Sequence, residues 1–417
     1  MPDKMTKKRR VVITGLGVVA PNGIGKDEFW QANIKGKSGV DKITRFDASG
    51  LPVQIAGELK KFDSRNYIGI KNSKKMDLFT QYGVVTARLA VEDSKLKITD
   101  KNKERIGVVI GTAIGGIGFA EEEYPYFIKN NRFSAYTAIA LDAGSCPSQI
   151  SIELGIQGPS LTIATACASG SDVIGYAINL IKEKRTDVML AGGAEAPITP
   201  FVLASLCNIH TLSKRNNSPS EASRPFDKER DGFVLAEGAG IVVLEELEHA
   251  LNRQAHIYAE ILGYGSTCDA YHMTRPEPEG TQIVRAIRLA LKDANINPEQ
   301  VDYINAHGTS TPFNDKVETQ AIKAVFGNYA YKIPISSTKS MIGHTMGAAG
   351  GIELVVTALT IDKGIIPPTI NYKYPDIECD LDYVPNQARK KEVNIAMSNS
   401  FAFGGKNGIV VLGKYRG

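Results

Sequence analysis

Four short stretches hold the side chains best suited to chemistry. Residues 165–170 read TACASG and set one cysteine, Cys167, among small residues. Residues 305–315, NAHGTSTPFND, set His307 just past an apolar run. Residues 336–351, SSTKSMIGHTMGAAGG, carry Lys339 and His344, and residues 398–408, SNSFAFGGKNG, form a glycine-rich turn with Phe401 and Phe403. Each has an ordinary structural explanation. A cysteine taken alone is usually a small buried hydrophobe, and glycine turns usually serve backbone geometry. Together they describe a cysteine nucleophile with two histidines and a lysine, all at element ends, where α/β proteins build their sites.

The elements that must position these residues alternate. RVVITGLGVVA (10–20), RIGVVIGT (105–112) and TDVMLAGGAEA (186–196) are apolar strands ending in or near glycines, whereas SDVIGYAINLIKEK (171–184) has apolar residues at helical spacing. Continuously apolar strands with helices between them indicate sheets covered on both faces. Three pairs of segments repeat in the same order. RRVVITGLGVV is matched by HIYAEILGYGS (256–266), ASGSDVIGYAI (168–178) by AAGGIELVVTA (348–358), and GIVVL at 240–244 by GIVVL at 408–412. This is the signature of a duplicated α/β unit. The expected division is a basic tail at 1–8, a first half at 9–253 and a second at 254–417.

Bulk properties exclude several classes. The 417 residues carry a formal net charge of +4, too small to suggest nucleic-acid binding. No apolar run approaches the length of a membrane span, and the basic start MPDKMTKKRR lacks an apolar signal core. The five cysteines are odd in number and form no C-x-x-C pair, which argues against a disulfide framework or zinc site and for a reducing, cytoplasmic setting. The six histidines are dispersed, so no metal site is expected.

The four stretches, in this order, resemble the motifs of the elongating β-ketoacyl-acyl-carrier-protein synthases. SRPFDKERDGFVLAEGAG (223–240) and DAYHMT (269–274) match the same family, and the similarity spans about residues 9–413. The resemblance implies the thiolase fold: two duplicated α/β halves in a five-layered αβαβα body. It implies a decarboxylative Claisen condensation in which Cys167 carries the acyl chain as a thioester. A helix N-terminus directly after Cys167 would favour the thiolate. His307 and His344 would donate to the malonyl thioester oxygen as charge develops there. Lys339 would orient the histidines, with Glu318 and Asp315 as its expected partners and Glu353 joining the network. Backbone N–H groups of Cys167 and Phe403 would form a second oxyanion hole, and Phe401 and Phe403 would gate the acyl pocket. Thr309 and Thr311 would bind the pantetheine amides, and Ile114 would line the acyl tunnel. No cofactor is expected, because phosphopantetheine arrives on the carrier.

The resemblance also implies an acidic acyl carrier protein as partner. Lys71, Lys74, Lys75 and Arg215 are its expected docking surface, the three lysines sharing one helix face. A dimer is expected, either with itself or with a chain-length-factor homologue that lacks the active cysteine. A non-catalytic partner role is disfavoured because Cys167, His307 and His344 are all present, and a cysteine hydrolase would need only one histidine. Departures from the family occur at Ala402 and Ala236, where glycine is usual, at Lys406, and in YTAIALDAGSCPSQI (136–150). Ala402 is expected to resist positive φ and alter the gate. Segments 195–217, DGFVLAEGAG (231–240) and 375–389 also resemble type II polyketide ketosynthase subunits, so the sequence leans to polyketide synthesis, with fatty-acid elongation as the alternative.

Overall fold

The computed structural model describes residues 9–417; the basic tail at 1–8 lies outside the described residues. In the first half five strands form one sheet: β1 (Val11–Ala20), β2 (Ile106–Gly111), β3 (Ser160–Ile163), β4 (Val188–Glu195) and β5 (Gly238–Glu246). The second half supplies β6 (Ala259–Cys268), β7 (Tyr303–Asn305), β8 (Ile335–Ser336), β9 (Ile395–Ala402) and β10 (Lys406–Gly413). The spatial order is β8-β7-β9-β10-β6-β1-β5-β4-β2-β3, with the short strand Gly23–Ile24 beside β1.

The two halves have the same internal order and sense. β2 runs parallel to β3 and β4, and β5 antiparallel to β4 and β1. Likewise β7 runs parallel to β8 and β9, and β10 antiparallel to β9 and β6. The half-sheets meet where β1 and β6 pair antiparallel through Val11–Ile13. All three sequence pairs therefore occupy equivalent places: β1 with β6, β5 with β10, and the two helices that follow.

Those helices, α1 (Ser169–Lys182) and α2 (Ala349–Lys363), form the middle layer. Each packs on strands of both halves. They cross at glycines because nothing larger fits: a Cβ on Gly170 would lie 2.5 Å from the backbone nitrogen of Gly351. α2 is buried along nearly its whole length, as a helix between two sheets must be. The helices Leu78–Ser94 and Thr281–Ala294 cover the outer faces of the first and second halves. This completes the five-layered thiolase arrangement.

Both middle helices begin with the same device. A 3₁₀ turn precedes each, Ala166–Ala168 before α1 and Met346–Ala348 before α2. Each turn opens on a non-glycine residue with positive φ, 52° at Ala166 and 48° at Met346. Cys167 and Gly347 are thus counterparts in the duplicated fold.

Candidate active site

Cys167 sits in its 3₁₀ turn, buried, with α1 starting two residues later. The Ser169 hydroxyl ties the turn down. It accepts the Thr165 N–H at 2.8 Å and lies 2.6 Å from the Ala166 carbonyl and 3.1 Å from that of Thr112. Holding Ala166 at positive φ costs a non-glycine residue on the order of 1 kcal/mol, and these bonds offset it. The turn presents Cys167 to a pocket of about 710 Å³, including its open mouth, shared with His307, His344, Phe401, Phe403 and Thr311.

The expected low thiol pKa is not found in this closed site. Burial pushes the Cys167 thiol up to about 12, against the opposing influence of the Lys339 charge and the backbone N–H groups of Phe403 and Cys167. Those two N–H groups are the pair expected to form an oxyanion hole, and both face the sulfur.

His307 lies two residues past the end of β7. Its backbone N–H donates to Glu318 Oε1 at 2.9 Å, and that of Gly308 to Glu318 Oε2 at 2.8 Å. Glu318, on the helix Pro312–Phe326, also accepts from Asn399 at 3.1 Å. Burial pushes its carboxyl up to about 7. Glu318 therefore fixes the backbone beneath His307 and is not a partner of Lys339. Nor is Asp315, which accepts the N–H of Phe226 (2.8 Å) and Ser310 (3.2 Å) and faces Arg230 at 3.8 Å. Both sit on the first turns of their helix, where sequence proximity to His307 suggested a role that the side-chain directions rule out.

Lys339 is buried and ion-paired with Glu353, which projects from the first turns of α2. Its ammonium donates to the His307 carbonyl at 2.8 Å and lies 3.3 Å from His307 Nδ1. An ammonium has only donors, so Nδ1 is the unprotonated nitrogen and Nε2 carries the proton. His344 meets the His307 ring edge-on at 5.3 Å and packs against Phe233 at the same spacing. Burial, then the Lys339 charge, holds both imidazoles well below the ordinary histidine range, with His344 adding to the effect on His307. The site presents two neutral imidazoles.

The gate turn joins β9 to β10. Ala402 pairs with Lys406 across the hairpin, and positive φ falls on Gly404 (80°) and Gly405 (71°). Ala402 needs no positive φ, so the expected conflict does not arise. Phe401 packs on the His307 ring at 5.6 Å, and Phe403 is half-buried. The Thr309 and Thr311 hydroxyls bond each other at 2.8 Å and line the pocket. Ala236 donates to the His344 carbonyl at 3.0 Å, in a buried position that its methyl group fills.

Other expected residues lie apart. Ile114 is exposed and does not border the Cys167 pocket. Lys71 alone lies in a helix, because Ile70–Ser73 stops before Lys74 and Lys75. Lys75 reaches over the Tyr136 ring at 5.6 Å, and Lys71 and Lys74 are exposed without an ion pair among the described residues. Arg215 is engaged by Glu229 (3.5 Å) and Asp231 (3.6 Å), which reduces its free charge. Glu195, not singled out beforehand, accepts from the Thr112 hydroxyl (2.8 Å) and the N–H groups of Ile114 (3.2 Å) and Gly347 (2.9 Å). It thereby ties the two halves together beside Cys167. Its sequence signal was an acid closing an otherwise apolar strand.

Residues 8–250 match the β-ketoacyl synthase N-terminal domain and residues 258–373 the C-terminal domain. The chain belongs to the β-ketoacyl synthase family. As a β-ketoacyl synthase it is an acyltransferase that forms carbon–carbon bonds. It is 49% identical over 410 residues to 3-oxoacyl-[acyl-carrier-protein] synthase 2 of Coxiella burnetii, covering 98% of this chain and 99% of that one. The Synechocystis protein of the same name is 48% identical over 412 residues, covering 98% and 99%. Among solved structures, a type II polyketide ketosynthase in complex with its acyl-carrier protein aligns at TM-score 0.91 and 40% identity, covering 98% and 100%. The ishigamide ketosynthase/chain length factor aligns at 0.92 and 38%, with the same coverage. No helix among the described residues is long and apolar enough to cross a membrane.

Proposed function

We propose that this β-ketoacyl synthase is a fatty-acid elongating 3-oxoacyl-acyl-carrier-protein synthase. The carrying observation is its 48–49% identity, over nearly the full length of both chains, to proteins of that name. The polyketide ketosynthases stand at 38–40%. The resemblance to polyketide subunits rests on segments 195–217, 231–240 and 375–389, short stretches that the whole-chain similarity outweighs.

In this reading Cys167 first takes the acyl chain from its carrier as a thioester, and its proton leaves with the carrier thiol. Malonyl-carrier then enters with its thioester oxygen toward Nε2 of His307 and the ring of His344. Loss of carbon dioxide leaves the electron pair of the broken bond on C2, delocalised onto that oxygen. Neutral N–H donors stabilise this enolate without giving up a proton. C2 attacks the thioester carbonyl of the acyl chain held on the Cys167 sulfur, whose oxygen is held by the N–H groups of Cys167 and Phe403. Collapse expels the Cys167 thiolate and releases 3-oxoacyl-carrier. The chemistry requires no cofactor of the enzyme's own.

The exposed edge strand β3 supports pairing with a second copy, since an uncovered edge is a template for another strand. The test supplies acyl- and malonyl-carrier and analyses products by mass. One added two-carbon unit per acyl chain supports fatty-acid elongation. A poly-β-keto chain, or activity only after adding a homologue without the active cysteine, would place the enzyme in polyketide synthesis.

A further inference from the structure

One residue at the mouth of the Cys167 pocket has no place in the scheme above. Arg275 directly follows the DAYHMT stretch and is, among the described residues, the single lysine or arginine lining the pocket. Its guanidinium lies 5.5 Å from the ring centroid of Phe313, itself 59% exposed at the start of the helix Pro312–Phe326. Stacking on a ring holds the plane of the guanidinium and leaves its edge N–H groups free.

No carboxylate among the described residues pairs with it. The pocket's acid, Asp269, is already engaged: Oδ1 accepts from Asn407 at 2.7 Å and Oδ2 from the Glu277 N–H at 3.1 Å. The two pocket histidines are held neutral. Arg275 is therefore the pocket's cation, without a carboxylate partner among the described residues. The loop that carries it is anchored, since Gly404 donates to the Met273 carbonyl at 2.7 Å and Asp269 to that of Gly405 at 2.8 Å.

The pocket lining combines the exposed Arg275 and Phe313 at its outer end with the Thr309–Thr311 hydroxyl pair, Phe401, Phe403 and the buried Cys167. A ligand that complements it has an anion at its outer end, hydrogen-bonding groups midway and a thioester at its tip. We infer that Arg275 binds the phosphate at the outer end of the phosphopantetheine arm and so selects thioesters that carry it. The inference rests on the condensing role proposed above. An arginine edge on a phosphate makes charge-assisted, frequently bidentate hydrogen bonds.

The test compares Arg275→Ala and Arg275→Lys with the parent enzyme on malonyl-carrier, malonyl-coenzyme A and malonyl-pantetheine, which lacks the phosphate. Arg275→Ala is expected to raise KM roughly tenfold for the two phosphate-bearing substrates, at little cost in kcat. Arg275→Lys recovers part of this, and malonyl-pantetheine shows a several-fold smaller penalty. A penalty as large on malonyl-pantetheine would overturn the inference. So would a penalty confined to malonyl-carrier, which would put Arg275 against the carrier's protein surface. Failure of the parent enzyme to condense any of the three would instead sink the proposed function.

Discussion

The ammonium of Lys339 donates to the backbone carbonyl of His307 at 2.8 Å, with Nδ1 of the same residue only 3.3 Å away. One buried cation thus fixes both the position and the tautomer of a histidine from another segment. Its countercharge, Glu353, comes from α2, whose preceding 3₁₀ turn closely follows His344. Through its contacts to His307, Lys339 joins the two histidine-bearing stretches.

Removing one member of that pair strands the other. Lys339→Met is expected to lower stability by about 3–5 kcal/mol, the usual cost of breaking a buried ion pair. The double variant Lys339→Met, Glu353→Leu should recover much of that loss in denaturant titrations yet stay slow in malonyl decarboxylation. Recovered decarboxylation in the double variant would show that Lys339 acts only through stability.

The histidines give a pH signature. Both have folded pKa values depressed below the ordinary 6.5, chiefly by burial. Decarboxylation should therefore stay flat as pH falls from 8 through 6.5, and decline only below it. The linked stability is fully present above pH 6.5. It is lost as pH falls from there toward the folded pKa, because the unfolded chain binds the proton first. A rate that titrates with a midpoint near 6.5 would contradict two neutral donors.

Deleting one donor should be costly. His307→Ala is expected to slow decarboxylation roughly 10²- to 10³-fold, the usual cost of losing one oxyanion donor. Cys167 alkylation should persist, because the thiol's turn is held by Ser169 rather than by His307. Loss of alkylation together with decarboxylation would indicate collapse of the site.

Burial of the Cys167 thiol predicts slow modification at neutral pH. With its pKa pushed up to about 12, the rate with iodoacetamide should climb about tenfold per pH unit from 7 to 9, since the thiolate is the reactive form. A plateau below pH 8 would show that the helix N-terminus of α1 outweighs desolvation.

Lys74 and Lys75 test the carrier face. Charge reversal at Lys74 and Lys75 should weaken turnover of carrier-bound substrate several-fold, with a reduced dependence on salt. Small thioester mimics should be affected much less. Equal losses on both would remove this face from docking.

Much of this protein is legible from its residues alone. The apolar strands, the helices α1 and α2 and the duplication follow from periodicity and ordered repeats, which depend only on local sequence. Cys167, His307, Lys339 and His344 could be picked out because each lies in a compact stretch at an element end. Partnerships were not legible. Glu318 and Asp315 are near His307 in the chain, yet their carboxylates cap backbone N–H groups, while the more distant Glu353 takes the ammonium. Ala402 looked like a conformational conflict, but the hairpin register moves positive φ onto Gly404 and Gly405. Arg275 and Phe313 are 38 positions apart in the sequence, and only the packing of the β6 loop against a helix start brings them together. Local pattern specifies which elements form and which groups they carry. Which group meets which, and how deeply each is buried, depends on side-chain direction and desolvation, and those exist only once the two halves have closed on each other.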